Sequence, residues 1–301
     1  MRVYYQRTVS GETTPVFIKN GPQYFYHDMP VYEDGSVDCW EHLTLDEVPG
    51  KMSTGWLSIS APDGESVSVY ALCALRIKGG KWNYTSKSFI THLSEIVKSM
   101  NSKMISLYQK TSEQKQFWKA NRHKTTAVGV PYKLNSFAFK VKGKSSKILL
   151  KSKSGYSLTT ITGFEDDTFE LAGAGILTAD KILEMFDTEQ LVCAPPVGAR
   201  VFMDGLGSFE TAEVEWSAKP KEKLKEILGI PAYVGNKGTA HDRCVKAYHN
   251  YLEYPCEQAR EQLRESYEAI PEHERIFLGD MDTRDSDYIR ILEQPEIKRE
   301  V

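Results

Sequence analysis

The stretch GWLSISAPDGESVSVYALCALRI, residues 55–77, decides the fold class. Trp56, with Leu57 between, and Ile59 alternate with small polar residues. Pro62-Asp63-Gly64 then offers a turn, and Val67, Val69 and Leu72 resume the pattern. A two-residue period sends successive side chains to opposite faces of a strand. The stretch therefore predicts a small antiparallel sheet with tight Asp-Gly turns. VYEDGSVDCW, residues 31–40, repeats the signal, with Asp34-Gly35 between β-prone flanks as a hairpin sequence. The bulky face of such a sheet needs cover from a helix or a second sheet.

A helical period follows. Phe89, Leu93, Ile96, Val97, Met100, Met104 and Tyr108 recur at three- and four-residue steps, which predicts an amphipathic helix. Residues 125–164 read as β again: Phe137, Phe139 and Val141 alternate with Ala138, Lys140 and Lys142, and Gly143 and Gly155 supply turns. A helix is expected over 178–191, with Thr178 as N-cap and Ile182, Leu183 and Phe186 on one face. Pro220 to Leu228 predicts another, with Leu224, Ile227 and Leu228 inward and Gly229 beyond its end. Two more are expected over about 241–253 and 255–269, then a short strand from Arg275 to Leu278 and an acidic loop. The class is α+β, with small antiparallel sheets and packed helices. The chain reads as a β-rich part (1–80), a central α+β part (81–235) and a helical part (236–301) that packs on the first.

Composition sets limits. Of 301 residues, 41% are hydrophobic and 26% charged, enough for a packed core. A net charge of −3 excludes a wholly basic nucleic-acid protein. No apolar run approaches the roughly 18 residues of a spanning helix, which argues against a membrane. The opening MRVYYQRTVSGETTP has no apolar core, so no secretory signal is expected. Cys39, Cys73, Cys193, Cys244 and Cys256 make an odd set, unlike a disulfide framework, and a reducing cytoplasm is the expected setting.

The charge is segregated. Residues 98–164 hold thirteen lysines and Arg122 against one acid, Glu113, leaving 24 basic and 40 acidic residues elsewhere of the 38 and 41 in the chain. Lys140, Lys142, Lys144, Lys147, Lys151 and Lys153 would form a cationic sheet edge or face for an anionic ligand, nucleic acid or an acidic protein. The structural alternative is that they keep a sheet soluble and guard its edge. Lysine in place of arginine weakens the nucleic-acid case, since phosphate and base recognition favours the arginine fork.

LGDMDTRDSD, residues 278–287, is the most distinctive short stretch. Asp280, Asp282 and Asp285 would offer hard oxygen ligands to a divalent cation, as in a metal-dependent hydrolase. Arg284 stands where an EF-hand loop needs a ligand. The structural alternative is a loop whose aspartates bond backbone N–H groups, with Arg284 and Arg290 pairing with the acids. No cofactor is predicted beyond such a cation, and catalytic residues remain unknown. His241, Cys244, His249 and Cys256 lack zinc spacing. Cys39 and Cys193 have no base in sequence reach. The glycines of Ala172-Gly173-Ala174-Gly175 lack the third of a dinucleotide fingerprint. Trp40, Trp56, Trp82 and Trp216 read as core or interface residues.

Tyr32-Glu33-Asp34-Gly35-Ser36-Val37-Asp38-Cys39-Trp40, with Gly55-Trp56 and Pro62-Asp63-Gly64, resembles an uncharacterised bacterial protein family of unknown function. So does Pro271-Glu272-His273-Glu274-Arg275 leading into Gly279-Asp280-Met281-Asp282 and Asp285. The resemblance covers the two ends. It implies that they form one α+β module around a large central insertion, and it brings no activity. Bacterial proteins of this appearance often sit among toxin-immunity or phage-defence genes.

The leading expectation is a non-catalytic interaction protein of bacterial or phage origin, an immunity, inhibitor or defence component whose partner is another protein. Opposed charges on one chain also allow a homo-oligomer, basic middle against acidic end.

Overall fold

The computed structural model describes residues 10–102, 131–134, 140–235, 240–279 and 284–297. Met104, Tyr108, Phe137, Phe139, Asp280 and Asp282 lie outside them, as does most of the lysine-rich stretch before residue 131. The fold is α+β. The chain forms two compact units, and it passes between them within two of its strands.

The first unit holds residues 10–102, 149–158 and 194–217. Strands β1 (Gly11–Asn20) and β2 (Gln23–Tyr32) pair along their full length. β3 (Ser36–Cys39) follows the Asp34-Gly35 turn as its sequence predicts. Gly35 has φ +70°, its N–H donates to the Tyr32 carbonyl, and Asp34 Oδ1 accepts from the Ser36 N–H and hydroxyl. Only glycine enters that backbone region freely. β4 (Glu41–Thr44) then pairs with β3 around Trp40.

After helix α1 (Val48–Ser53), β5 (Leu57–Ser58) and β6 (Ser66–Val69) flank Pro62-Asp63-Gly64, yet they do not pair with each other. β5 joins β1. β6 lies between β2 and β7 (Cys73–Trp82). The β2–β6 pairing is parallel, so the sheet is mixed and not wholly antiparallel as expected. The long connection through β3, β4, α1 and β5 gives the chain the reach a parallel return needs. The expected helix is α2 (Ser86–Met100); it buries Phe89, Leu93, Ile96 and Val97, and Thr85 caps it by accepting from the Ser88 N–H. The sheet continues from β7 to β15 (Gly207–Ser217) and β14 (Arg200–Met203), where the first residues of β10 (Gly155–Phe164) add in parallel. Phe17, Trp82 and Phe209 pack edge to face or tilted in its core.

The second unit holds residues 131–134, 140–148, 159–193, 218–235, 240–279 and 284–297. Its sheet runs β8 (Tyr132–Leu134), β9 (Lys140–Ser152), the rest of β10, β11 (Phe169–Leu171) and β12 (Gly175–Leu177). Helix α3 (Ala179–Asp187) starts at Thr178, whose hydroxyl accepts from the Lys181 N–H. Ile182 is buried as expected. Met185 takes the inward place given to Leu183, which is 37% exposed.

Helix α4 (Pro220–Val234) runs past Gly229 and through Pro231, longer than predicted, and buries Lys223, Ile227, Ile230 and Pro231. Helices α5 (Ala240–Glu253), α6 (Glu257–Glu268) and α7 (Ser286–Glu293) share a core of Cys244, Tyr248, Leu263, Tyr267, Tyr288 and Ile291. The strand expected at Arg275–Leu278 is instead part of a 3-10 helix, Glu272–Phe277, opened by Pro271. A four-residue apolar run has too little length to fix its own period.

Candidate functional site

The β8–β9 pair carries the lysines. Its register sets Tyr132 opposite Lys142, Lys133 opposite Val141 and Leu134 opposite Lys140. Val141 and Gly143 turn inward, and Lys140, Lys142 and Lys144 turn out and are exposed. Glycine is needed at 143, because a Cβ there would lie 2.8 Å from the Phe164 ring. Residues paired across two strands share a face. Tyr132 and Leu134, 55% and 59% exposed, therefore stand with the lysines.

Lys140 Nζ lies 4.4 Å from the Tyr132 ring centre, and Lys144 Nζ lies 4.1 Å from that of Tyr233 on α4. Such contacts stabilise by about 0.5–1 kcal/mol at exposed sites, enough to orient a long side chain. Same-face residues along a strand repeat at about 7 Å. Among the described residues no carboxylate pairs with these three ammonium groups. The Glu165 carboxylate accepts the Lys142 backbone N–H, not the ammonium.

The other predicted lysines do not join this row. Lys147 donates to Thr160 Oγ1 at 3.0 Å. Lys151 and Lys153 are exposed and belong to the first unit. Lys133, on the opposite face of β8, reaches Asp166 at 2.8 Å and lies over the Phe164 ring. Against the upward pull of burial, hydrogen bonds from Lys133 and Thr168 hold the Asp166 carboxyl below its ordinary range.

A buried polar cluster was not predicted. Lys223 Nζ donates to Ser146 Oγ at 2.8 Å and to both Glu226 oxygens at 3.0 Å; Ser146 in turn donates to Glu226 at 2.7 Å. His273 Nε2 lies 3.5 Å from Glu226 Oε2. The signal for it is a lysine on the same stripe of α4 as Ile227 and Ile230. Its members bind one another, so it reads as a strut between β9, α4 and the 3-10 helix.

At the acidic end, Asp285 Oδ2 accepts the Tyr267 hydroxyl at 2.7 Å, and Asp287 accepts from Arg290 at 2.8 Å. Asp280 and Asp282 lie outside the described residues. Among the described residues no three His, Cys, Asp or Glu side chains are gathered as metal ligands. All five cysteines are free thiols, and only Cys256 is exposed. Burial pushes Cys39 up to about 12 and Cys193 up to about 11, which suits packing and not nucleophilic work. Trp40 and Trp216 are exposed, which leaves the interface half of the expectation open for them and not the core half. Among the described residues no helix is long and apolar enough to cross a membrane.

Fold and site together define an α+β protein with an exposed lysine–tyrosine sheet face. The chain belongs to the family described as a domain of unknown function, DUF7638, which matches residues 1–104 and 132–230. A second domain of unknown function, DUF7639, matches residues 239–298. Searches of curated proteins and of solved structures returned no match.

Proposed function

We propose that this is a non-catalytic interaction protein that recognises an anionic partner through the face of Lys140, Lys142 and Lys144. One observation carries the reading: three same-face lysines have no carboxylate partner among the described residues and stand beside exposed Tyr132 and Leu134. Unpaired surface charge is normally solvated or balanced by neighbours. A row of one sign flanked by aromatic and aliphatic surface is the composition of a binding face, steered by charge and held by apolar contact. An immunity, inhibitor or defence role, in a reducing cytoplasm that keeps five thiols free, belongs to the same proposal.

Retention on immobilised heparin tests it. The nuclease-treated wild type is expected to bind at low salt and elute as salt rises. The triple substitution Lys140→Glu, Lys142→Glu, Lys144→Glu is expected to remove retention while leaving the far-UV circular dichroism unchanged. Equal retention of both proteins would refute the assignment of this face.

A further inference from the structure

We propose that β8 is a strand-addition site for an extended acidic polypeptide, whose alternate carboxylates meet Lys140, Lys142 and Lys144. The inference rests on the anion-binding reading above and names the partner.

The backbone supplies the first argument. The Gly143 N–H donates to the Pro131 carbonyl at 2.6 Å. Along a strand the N–H and C=O of one residue point to one side and those of the next to the other. Lys133, opposite Val141, therefore turns its backbone groups to β9, and Tyr132 and Leu134 turn theirs away. Among the described residues β8 pairs with β9 alone. Two N–H and two C=O groups thus stand along an open edge, without a partner among the described residues. Such an edge is a template for another strand.

The side chains supply the second. A strand laid beside β8 places every second residue on the face of Tyr132 and Leu134. Lys140 Nζ already lies over the ring of Tyr132, a residue of the edge strand itself. Same-face residues repeat at about 7 Å on both sides, so Asp or Glu at every second position keeps step with the lysine row. Lysines near an edge deter indiscriminate pairing. Here the same charge selects, because only an acidic segment gains ammonium–carboxylate contacts. Single-stranded nucleic acid fits less well. Base stacking needs open rings, and lysine ammonium groups lie over Tyr132 and Tyr233.

Fluorescence anisotropy with the full chain tests this. The probes are a labelled peptide of about ten residues alternating Glu and Val, an isomer with its glutamates in one block, and an oligothymidylate of equal length. The alternating peptide is expected to bind most tightly of the three. Leu134→Pro removes an outward N–H and leaves the lysines in place. It is expected to weaken the peptide by about tenfold or more while heparin retention persists. Two alternating peptides, N-methylated on valine or on glutamate, make the same test from the ligand side should Leu134→Pro unfold. At least one is expected to lose binding.

Wild-type affinity in Leu134→Pro and in both methylated peptides would overturn strand addition and leave the anion-binding face standing. Equal binding of the block isomer would do the same. Tighter binding of oligothymidylate would overturn the choice of partner. Loss of heparin retention by neither Leu134→Pro nor the triple glutamate variant would bring down the anion-binding reading itself.

Discussion

Lys223 Nζ sits 3.0 Å from each carboxylate oxygen of Glu226, one turn along the same helix, with only 1% of the lysine exposed. The pair does not lie alone. Ser146 on β9 bonds both partners, and His273 of the 3-10 helix approaches Glu226 from the other side. Lys225 Nζ donates to the Glu268 carbonyl at 3.1 Å, and Lys219 pairs with Glu272. Residues on α4 and at its N-cap therefore hold β9, the last residue of α6 and the 3-10 helix that follows it. Two stretches matched by different family descriptions meet within one compact unit through these contacts.

This arrangement predicts strong coupling in stability. Removing one partner of a buried ion pair strands the other charge, at a cost of about 3–5 kcal/mol. Glu226→Leu is expected to lose stability on that scale. Lys223→Met with Glu226→Leu removes both charges and is expected to cost far less than the two single changes added together. Urea unfolding of the wild type, both single variants and the double variant measures the cycle. Additive losses would mean that the pair acts as two independent residues.

Much of the fold is legible in the sequence, for physical reasons that also mark the limits. The stripe of Phe89, Leu93, Ile96 and Val97 fixes a helix because each residue serves one buried face. Asp34-Gly35 fixes a hairpin because the turn needs positive φ and a local acceptor. Partner choice is a long-range matter, so Pro62-Asp63-Gly64 marks a real turn whose flanking strands go to other neighbours. The burial of Lys223 is not legible in the sequence, because a lysine inside an apolar stripe becomes intelligible only once Glu226 and Ser146 are beside it. Lys140, Lys142 and Lys144 keep a two-residue step that sets them on one face, which the sequence shows. The step breaks before Lys151 and Lys153, at the exposed pair Lys144–Ser145 and the buried pair Ile148–Leu149, and no local residue announces the break.

Thiol chemistry gives a second prediction. Cys39, Cys73, Cys193 and Cys244 are buried, and Cys256 is exposed. Burial pushes Cys39 and Cys244 up to about 12 and Cys193 up to about 11, so none of these three forms thiolate readily at pH 8. Native protein with Ellman's reagent is expected to show one fast-reacting thiol, lost in Cys256→Ser, and all five in urea. A second fast thiol in the native state would show that one of the cores opens readily.

Alkaline pH gives a third. Burial, followed by the neighbouring Cys244, Tyr248 and Asp287, pushes the Tyr288 phenol up to about 12. Burial and then the bond to Asp285 move Tyr267 in the same direction. An unfolded tyrosine titrates near pH ~10, so the folded chain keeps these protons longer. The stabilisation is full below that pH and is lost as pH rises toward about 12. The melting temperature is expected to fall across that window, and less steeply in Tyr288→Phe. Parallel curves for the two proteins would remove Tyr288 as a cause.

The Tyr267–Asp285 bond separates two uses of the acidic loop. Tyr267 is 9% exposed, and Asp285 accepts its hydroxyl at 2.7 Å. Asp285→Ala strands a buried donor, which costs about 1–3 kcal/mol. Tyr267→Phe removes the donor instead and is expected to cost less. Once Phe is in place, Asp285→Ala should add little. These losses are expected in buffer without divalent cations and should be unchanged by magnesium, manganese or calcium. If Asp285 serves with Asp280 and Asp282 as a metal ligand, the cation stabilises the wild type by mass action and leaves Asp285→Ala unmoved. Thermal melts of the four proteins, with and without each cation, read the two roles on one scale. A cation-dependent gap between wild type and Asp285→Ala would reassign the carboxylate from tyrosine acceptor to metal ligand.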